Sequence, residues 1–433
     1  MPRVLVAGGG LAGLSAAAAL AGAGFEVDLF EARTFLGGRA ASYPLADGSE
    51  VIDNCQHVLL ACFTNLLNLY ERLGVRDRIR FFREFYFIEP GGRTSILEAG
   101  VLPPPMHFLG AFARLKFLGV ADKLALARGM RALGRQYGRR SDLDRITMRD
   151  WLRAERQTPR AVDRFWSQVL VSAINEDLDR MAAAHGFQVF QLGFLASARA
   201  HHMGLAAVPL SELYASDRLA GVTVHSRAPV DSFRMEDGKV AAVLAAGEEH
   251  RADYYVCALP FERVAAAVPA LGLDLARFEH SPITGIHLWF DRPVMDLPYA
   301  TLLDRTMQWA FNKGEGRYVQ LVVSASRSLV EMPRQDVIDL AVRELAEFFP
   351  RVREATLVKA HVVKEVRATF SATPEAEPLR PPARTAIPNF FLAGDWTRTG
   401  WPATMEGAVR SGYLAAEAIT AAHGDPRRFL LEP

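Results

Sequence analysis

Residues 3–31, RVLVAGGGLAGLSAAAALAGAGFEVDLFE, decide the fold. Val4, Leu5 and Val6 make a short apolar run that reads as a buried strand. Gly8-Gly9-Gly10 turns the chain. Leu11 to Ala23 is dominated by Ala and Leu, strong helix formers, and Gly24 stops the helix. Glu26 to Glu31 is a second strand. Strand, glycine turn, helix and strand within about thirty residues form a βαβ unit. Inside it Gly8, Gly10 and Gly13 hold the spacing G-x-G-x-x-G. That pattern is weak alone, but here it follows a strand and opens a helix. Gly8 permits the tight turn, Gly10 lets a pyrophosphate approach the backbone, and Gly13 lets helix and strand pack closely. The helix N-terminus at Leu11, Ala12 and Gly13 turns free N–H groups and partial positive charge toward the phosphates. Glu31 ends the second strand about twenty residues on, placed to accept hydrogen bonds from a ribose.

Two further stretches point to the same ligand. Gly37-Gly38-Arg39 follows Glu31 closely. A glycine pair lets backbone lie against a ligand, and Arg39 is a bidentate phosphate donor. Far along the chain, residues 390–395 (FFLAGD) are a buried strand running into a Gly394-Asp395 turn. Met405-Glu406-Gly407-Ala408 then opens a helix whose N–H groups face a ligand, while Asp395 holds a ligand hydroxyl or a phosphate-side water. Each stretch alone also reads as an ordinary turn or cap. Together, at opposite ends of one chain, they are far more specific.

Outward from these signatures, 433 residues allow two to three domains with a large core. Fifty Lys and Arg against 49 Asp and Glu leave a net charge of +1, so there is no electrostatic footprint for nucleic acid. Cys55, Cys62 and Cys257 build no disulfide framework, which fits a reducing cytoplasm. The apolar N-terminus mimics a secretory signal, but its glycines would break the helix a signal needs. No stretch has the ~18 uninterrupted apolar residues of a membrane span, so the chain reads as soluble or as resting on a membrane surface. His201-His202 lacks a carboxylate or cysteine at ligand spacing, so it reads as a polar turn and no metal is expected.

Residues 65–73 are predicted helical. From Ile79 to Met203 the chain is rich in Phe, Leu and Arg and is predicted mostly helical. Within it, residues 101–118 combine large apolar side chains with Arg114 and Lys116, suiting either a membrane interface or a core-facing helix. Short strands follow over 222–253 and a buried strand over 254–258. Residues 285–290 and 318–324 read as strands of a second sheet, 336–349 as an amphipathic helix, 356–364 as a strand and 390–393 as a last one. The expected fold is α/β: a Rossmann-like nucleotide domain from residues 1–78, 204–275 and 376–433, with an interleaved α+β substrate domain from 79–203 and 276–375.

Gly8 to Gly13 with Glu31, Gly38-Arg39, Gly394-Asp395 and Glu406-Gly407-Ala408 resemble the FAD-binding pattern of the amine oxidase and phytoene desaturase superfamily, in the same order along the whole chain. Finer matches resemble the squalene-associated flavoenzymes, the hydroxysqualene dehydroxylases: Asp53-Asn-Cys-Gln-His57-Val-Leu-Leu, Thr64-Asn65, Arg367-Ala-Thr-Phe370-Ser-Ala-Thr-Pro374, Ala393-Gly-Asp-Trp-Thr397 and Pro402-Ala-Thr-Met-Glu-Gly-Ala408. One departure is Cys55, where the family more often has glycine.

The resemblance implies FAD bound in a glutathione-reductase-2 type domain. It extends the cofactor contacts to Ala32, Arg33, Cys55, Gln56, His57, Val230 and Met405, and sets the Asp53–His57 segment beside the flavin ring. Cys55 there either contacts or covalently binds the ring, or is a small inert buried thiol. His57 is either a proton donor near the flavin or a structural histidine. The implied reaction is the reductive dehydroxylation of hydroxysqualene to squalene in hopanoid synthesis, at the inner face of the cytoplasmic membrane, with an unspecified electron donor. Hydroxide leaves poorly, so a general acid is required, and aromatic faces stabilise the allylic cation left behind. Arg367 and Phe370 join His57 as catalytic candidates, Arg367 holding the flavin, a water or an anionic neighbour. Phe165, Trp166, Phe187, Phe190, Phe194 and Trp289 are further aromatic candidates, and Trp396 and Trp401 flank the flavin signature. The alternatives are a carotenoid or squalene desaturase, or a flavin-bearing membrane scaffold without turnover.

Overall fold

The computed structural model describes residues 1–45, 48 and 50–432. β1 (Arg3–Ala7), β2 (Glu26–Glu31), β3 (Val222–Ser226) and β4 (Tyr254–Cys257) run parallel in one sheet with Phe390–Leu392. The order is β3, β2, β1, β4 and then Phe390–Leu392, so pieces from both ends of the chain and its middle share one sheet. β1 is buried on both faces after Arg3, as expected of a parallel strand between covering layers.

α1 (Leu11–Gly22) connects β1 to β2 and is apolar nearly all round. A helix of that kind must be covered on both sides. The C-terminal helix, Met405–His423, supplies the outer cover. The two approach so closely that a Cβ on Gly412 would lie 2.1 Å from Ser15 Oγ and 2.2 Å from the Ala12 carbonyl oxygen. Gly412 is therefore required for helix packing.

The second sheet contains β5 (His280–Phe290), β6 (Tyr318–Ser324) and β7 (Leu357–Phe370). Its order is β7, β5, β6, Trp309–Gly314, Tyr299–Leu302, Phe85–Ile88 and Thr94–Leu97. The expectation of a mostly helical segment after Ile79 fails over its first twenty residues. Ile79–Phe82, Phe85–Ile88 and Thr94–Leu97 are strands. Phe85 and Phe87 are buried two residues apart, the strand period, and aromatic side chains suit a half-buried pleat.

β7 also runs six residues beyond the strand expected to end at Lys364, as far as Phe370. Its ladder with β5 is interrupted: Ser281 pairs with Thr369 and Ile283 with Glu365, so residues 366–368 face Pro282 alone. Proline has no N–H to give the ladder, which is where strands bulge.

Helices fill most of 109–195. Their rings, with the partly buried Phe108, form a continuous series: Phe108–Phe194, Phe194–Phe190, Phe190–Trp166 and Trp166–Trp151, with centroids 4.7–6.0 Å apart. No helix among the described residues is long and apolar enough to cross a membrane.

Candidate cofactor and active site

The glycine loop has the form a dinucleotide requires. Gly8 has φ +107°, a conformation that favours glycine, and a Cβ on Gly13 would lie 1.8 Å from the Gly8 carbonyl oxygen. Gly10 differs: a Cβ there would meet nothing nearer than Gly38 Cα at 3.9 Å, so open space lies above it. Gly10 is the extended N-cap of α1, with no side-chain cap and no acidic residue in the first turn. The N–H groups of Leu11, Ala12 and Gly13 thus lack a side-chain acceptor and are available to an anion. The residues fit a pyrophosphate.

Glu31 is buried, and its carboxylate accepts the Gly9 and Arg33 N–H groups, each at 2.8 Å. It braces the glycine loop while keeping lone pairs for ribose hydroxyls. Ala32 and Arg33 are exposed at the end of β2. The Ala228 N–H donates to the Glu31 carbonyl at 2.9 Å, and Val230, two residues on, is buried. The Gly37 N–H donates to the Gly9 carbonyl at 2.9 Å, laying the second glycine turn along the first.

Arg39 joins three distant stretches. Its guanidinium donates to Asp395 Oδ1 at 2.7 Å and to the Ala368 carbonyl at 2.9 Å, inside the β7 bulge. The guanidinium's other donors remain for a phosphate. Asn54 Nδ2 donates to Glu365 Oε2 at 3.0 Å at the start of the same bulge. Nucleotide loops, the Asp53–His57 segment and β7 therefore meet at one junction between the two sheets, where ligand sites are commonly found.

The Asp53–His57 segment is held from the second sheet. Lys313 Nζ donates to Asp53 Oδ2 at 3.1 Å and to Gln56 Oε1 at 3.0 Å, and Ser42 Oγ donates to Asp53 Oδ1 at 2.7 Å. Burial opposes charge on Asp53, but Lys313 and Ser42 outweigh it and hold the carboxyl below its ordinary range. His57 is pulled down by burial, against the Cys55 carbonyl, so its ring is neutral at pH 7. Nδ1 lies 2.8 Å from that carbonyl, which can only accept, so Nδ1 carries the proton and Nε2 a lone pair. In that tautomer the Nδ1–H is committed to the Cys55 carbonyl. Burial also pushes the Cys55 thiol up, leaving no reactive thiolate. Sγ faces Gly285 of β5, where a Cβ would stand 3.7 Å away.

The structure also places the remaining candidates. Phe370 is 1% exposed and packs under the Arg380 guanidinium, 5.0 Å from the ring centroid, so its face is already taken. Arg367 has a side chain 68% exposed and pairs at 3.6 Å with Glu262, an anionic neighbour of the kind the sequence reading allowed. The Glu406 carboxylate caps α2 (Thr64–Arg72), accepting Asn65 Nδ2 at 2.7 Å and the Leu66 N–H at 2.8 Å, and so faces a helix instead of a ligand. His201 does lie in a turn, after the exposed residues 197–199, but its ring is buried against Phe108, with centroids 4.7 Å apart. Trp289 also lies apart from the other aromatic candidates, stacked on Tyr318 with Lys359 over its face.

Arg380 escaped the sequence reading. It is fully buried and donates to the carbonyls of Thr397, Asp395 and Trp401, to Thr399 Oγ1 and to the Glu377 carboxylate. Glu377 also takes His185 Nε2 at 2.7 Å, from helix Ala183–Phe190. Burial works against the Glu377 charge, but His185 and Arg380 bring its carboxyl down to about 2. This group fixes the 394–401 turn from the helical side. Only its position before the prolines of 381–388 marked it in the sequence. The Gly394 N–H is held in turn by Ser411 Oγ at 2.7 Å.

A parallel sheet with an uncapped glycine-loop helix, an acidic brace at the end of β2 and a second loop returning from the C-terminus is the site of an FAD-dependent oxidoreductase. The chain belongs to the flavin containing amine oxidoreductase family, whose model matches residues 11–420. Its relatives include 15-cis-phytoene desaturase of an Oncidium hybrid cultivar, 27% identical over 96% of this chain and 77% of that one. The probable zeta-carotene desaturase of Synechococcus elongatus is 28% identical over 96% of this chain and 98% of that one. Among solved structures, an oxidoreductase from Methanosarcina mazei superposes with a TM-score of 0.73 at 16% identity, covering 97% of this chain and all of that one. A putrescine oxidase double mutant gives 0.70 at 17% identity, covering 97% and 99%. The chain is a flavin-dependent oxidoreductase of the carotenoid desaturase type.

Proposed function

We propose that this chain reductively removes the hydroxyl of hydroxysqualene to give squalene, a step of squalene and hopanoid synthesis. One observation carries the reading. Three of the five stretches that resemble hydroxysqualene dehydroxylases meet at the junction: Asn54 donates to Glu365, two residues before Arg367, and Arg39 donates to Ala368 and to Asp395. Reduced FAD, when bound, supplies the two electrons as a hydride equivalent. The chain's own residues bind, orient and exclude water. The connected rings from Phe108 to Trp151 pack on one another as the core of the helical region.

The substrate would come from a bilayer, and the surface supports that source. Val101, Leu102, Met106 and Leu109 are exposed, as are Val120 and Leu124 at the start of the helix Val120–Gln136. Arg114 and Lys116 lie exposed between them in sequence, suited to lipid headgroups. A desaturase is the second reading, favoured by the phytoene and zeta-carotene desaturases among the relatives.

Product analysis decides between the two. Anaerobic, reduced holoenzyme given hydroxysqualene should yield squalene by mass spectrometry, with no need for oxygen. A polyene with one more double bond from oxidised enzyme, and no squalene from reduced enzyme, would assign the desaturase.

A further inference from the structure

We propose that Glu365 is the general acid that protonates the departing hydroxyl. The inference rests on the dehydroxylation reading above and supplies the group that reading requires.

The argument begins with the bulge. Pro282 cannot donate to the ladder, so β7 leaves β5 over residues 366–368 and rejoins it at Thr369. Glu365 stands where the strands part. Its Oε2 accepts Asn54 Nδ2 at 3.0 Å and its Oε1 accepts the Arg367 N–H at 3.2 Å. Both donors are neutral, and Glu365 makes no ion pair among the described residues. Asn54 precedes Cys55, and its side chain also reaches the Arg39 carbonyl at 3.4 Å. Glu365 is thus placed at the meeting of the cofactor loops and the second sheet.

The other carboxyls around the junction are committed. Asp53 is held by Lys313 and Ser42, and Asp395 by Arg39. Glu262 faces Arg367 and His280, Glu31 braces the glycine loop, and Glu406 caps α2. His57 offers a lone pair where a proton is needed, and the Cys55 thiol packs on Gly285. Tyr43, half-buried, is the remaining neighbour with a proton to give.

The step balances as follows. The carbon–oxygen bond breaks, and its electron pair goes to oxygen. Glu365 gives that oxygen its carboxyl proton, so water leaves. The cation at carbon takes a hydride equivalent from reduced flavin, which is oxidised by two electrons. The Glu365 carboxylate then regains a proton from solvent, which closes the cycle.

The test is single turnover of the anaerobically reduced holoenzyme, with FAD content measured for each variant. Glu365→Gln should slow conversion of hydroxysqualene by about 100-fold or more, the usual range for a lost general acid. The acetate ester of the same alcohol leaves without a strong acid, so Glu365→Gln should convert it at the wild-type rate. Glu365→Asp should recover part of the activity on the alcohol. If Glu365→Gln converts alcohol like wild type, or slows ester and alcohol equally while retaining FAD, the proposal is overturned. It is overturned too if Tyr43→Phe alone gives the alcohol-specific loss. Wild-type enzyme that gives no squalene from either substrate would instead reject the dehydroxylation reading itself.

Discussion

Replacing Arg380 should release the flavin turn before it unfolds the protein. The Arg380 guanidinium is buried and serves the carbonyls of Thr397, Asp395 and Trp401, Thr399 Oγ1 and Glu377. Arg380→Met keeps much of the volume but leaves Glu377 with His185 alone. Breaking a buried ion pair costs about 3–5 kcal/mol, and each orphaned carbonyl adds about 1–3 kcal/mol unless water reaches it. Because these losses overlap, about 4 kcal/mol is expected, a large share of the ~5–15 kcal/mol of a typical domain. Arg380→Lys should lose about half as much, because an ammonium can still reach some acceptors.

Urea unfolding gives the stability, and flavin absorbance after gel filtration gives retention. The pH dependence isolates Glu377. Its carboxyl sits at about 2 in the folded chain, against an ordinary 4.5. A depressed carboxyl contributes fully above pH 4.5 and loses that contribution as pH falls toward 2. The difference is worth about 3 kcal/mol at 1.36 kcal/mol per unit. Glu377→Gln should therefore flatten the acid limb of stability between pH 4.5 and 2. Arg380→Met within 1 kcal/mol (~) of wild type and still holding FAD would refute the assignment of Arg380 as the anchor of this turn.

The glycine loop makes a paired prediction. Gly10→Val enters open space, so the chain should fold but purify colourless, whereas Gly13→Val meets the Gly8 carbonyl and should fail to fold. Circular dichroism and flavin absorbance separate the two, and a yellow Gly10→Val protein would count against the pyrophosphate path. At the surface, Leu109→Asp with Val120→Asp removes side chains 57% and 77% exposed. It should lower partition into anionic vesicles at least tenfold with unchanged thermal stability, by flotation. Phe108 and Phe112 turn inward onto Phe194 and Phe165, so aspartate there would report folding instead.

The nucleotide half was legible because its signals are local. Gly8 to Gly13 and Glu31 act largely within one βαβ unit, so their spacing marked the turn, the helix start and the strand end. Gly394 and Asp395 were legible as a motif, but their partners were not. Asp395 meets Arg39 across 356 residues of chain, and Glu406 meets Asn65 across 341. No periodicity announces such pairs. Glu406 was misassigned for that reason: a motif marks a position, and only the fold shows that its carboxylate caps α2. The 79–97 strands were missed because Phe and Arg crowd both faces there, masking the two-residue period. Phe370 was misread because an aromatic in a motif suggests a ligand face, while a buried arginine nearby in sequence competes for the same ring.

The charges at the junction bear on the chemistry as a set. Arg39 and Arg367 stand against Asp395, Glu262 and Glu365. In this set carboxyl groups outnumber guanidiniums, in a region that an apolar substrate would dry. Such a set favours positive charge developing at carbon and disfavours an anionic substrate. The pyrophosphate is directed to the α1 N-terminus, where the first turn carries no acidic residue.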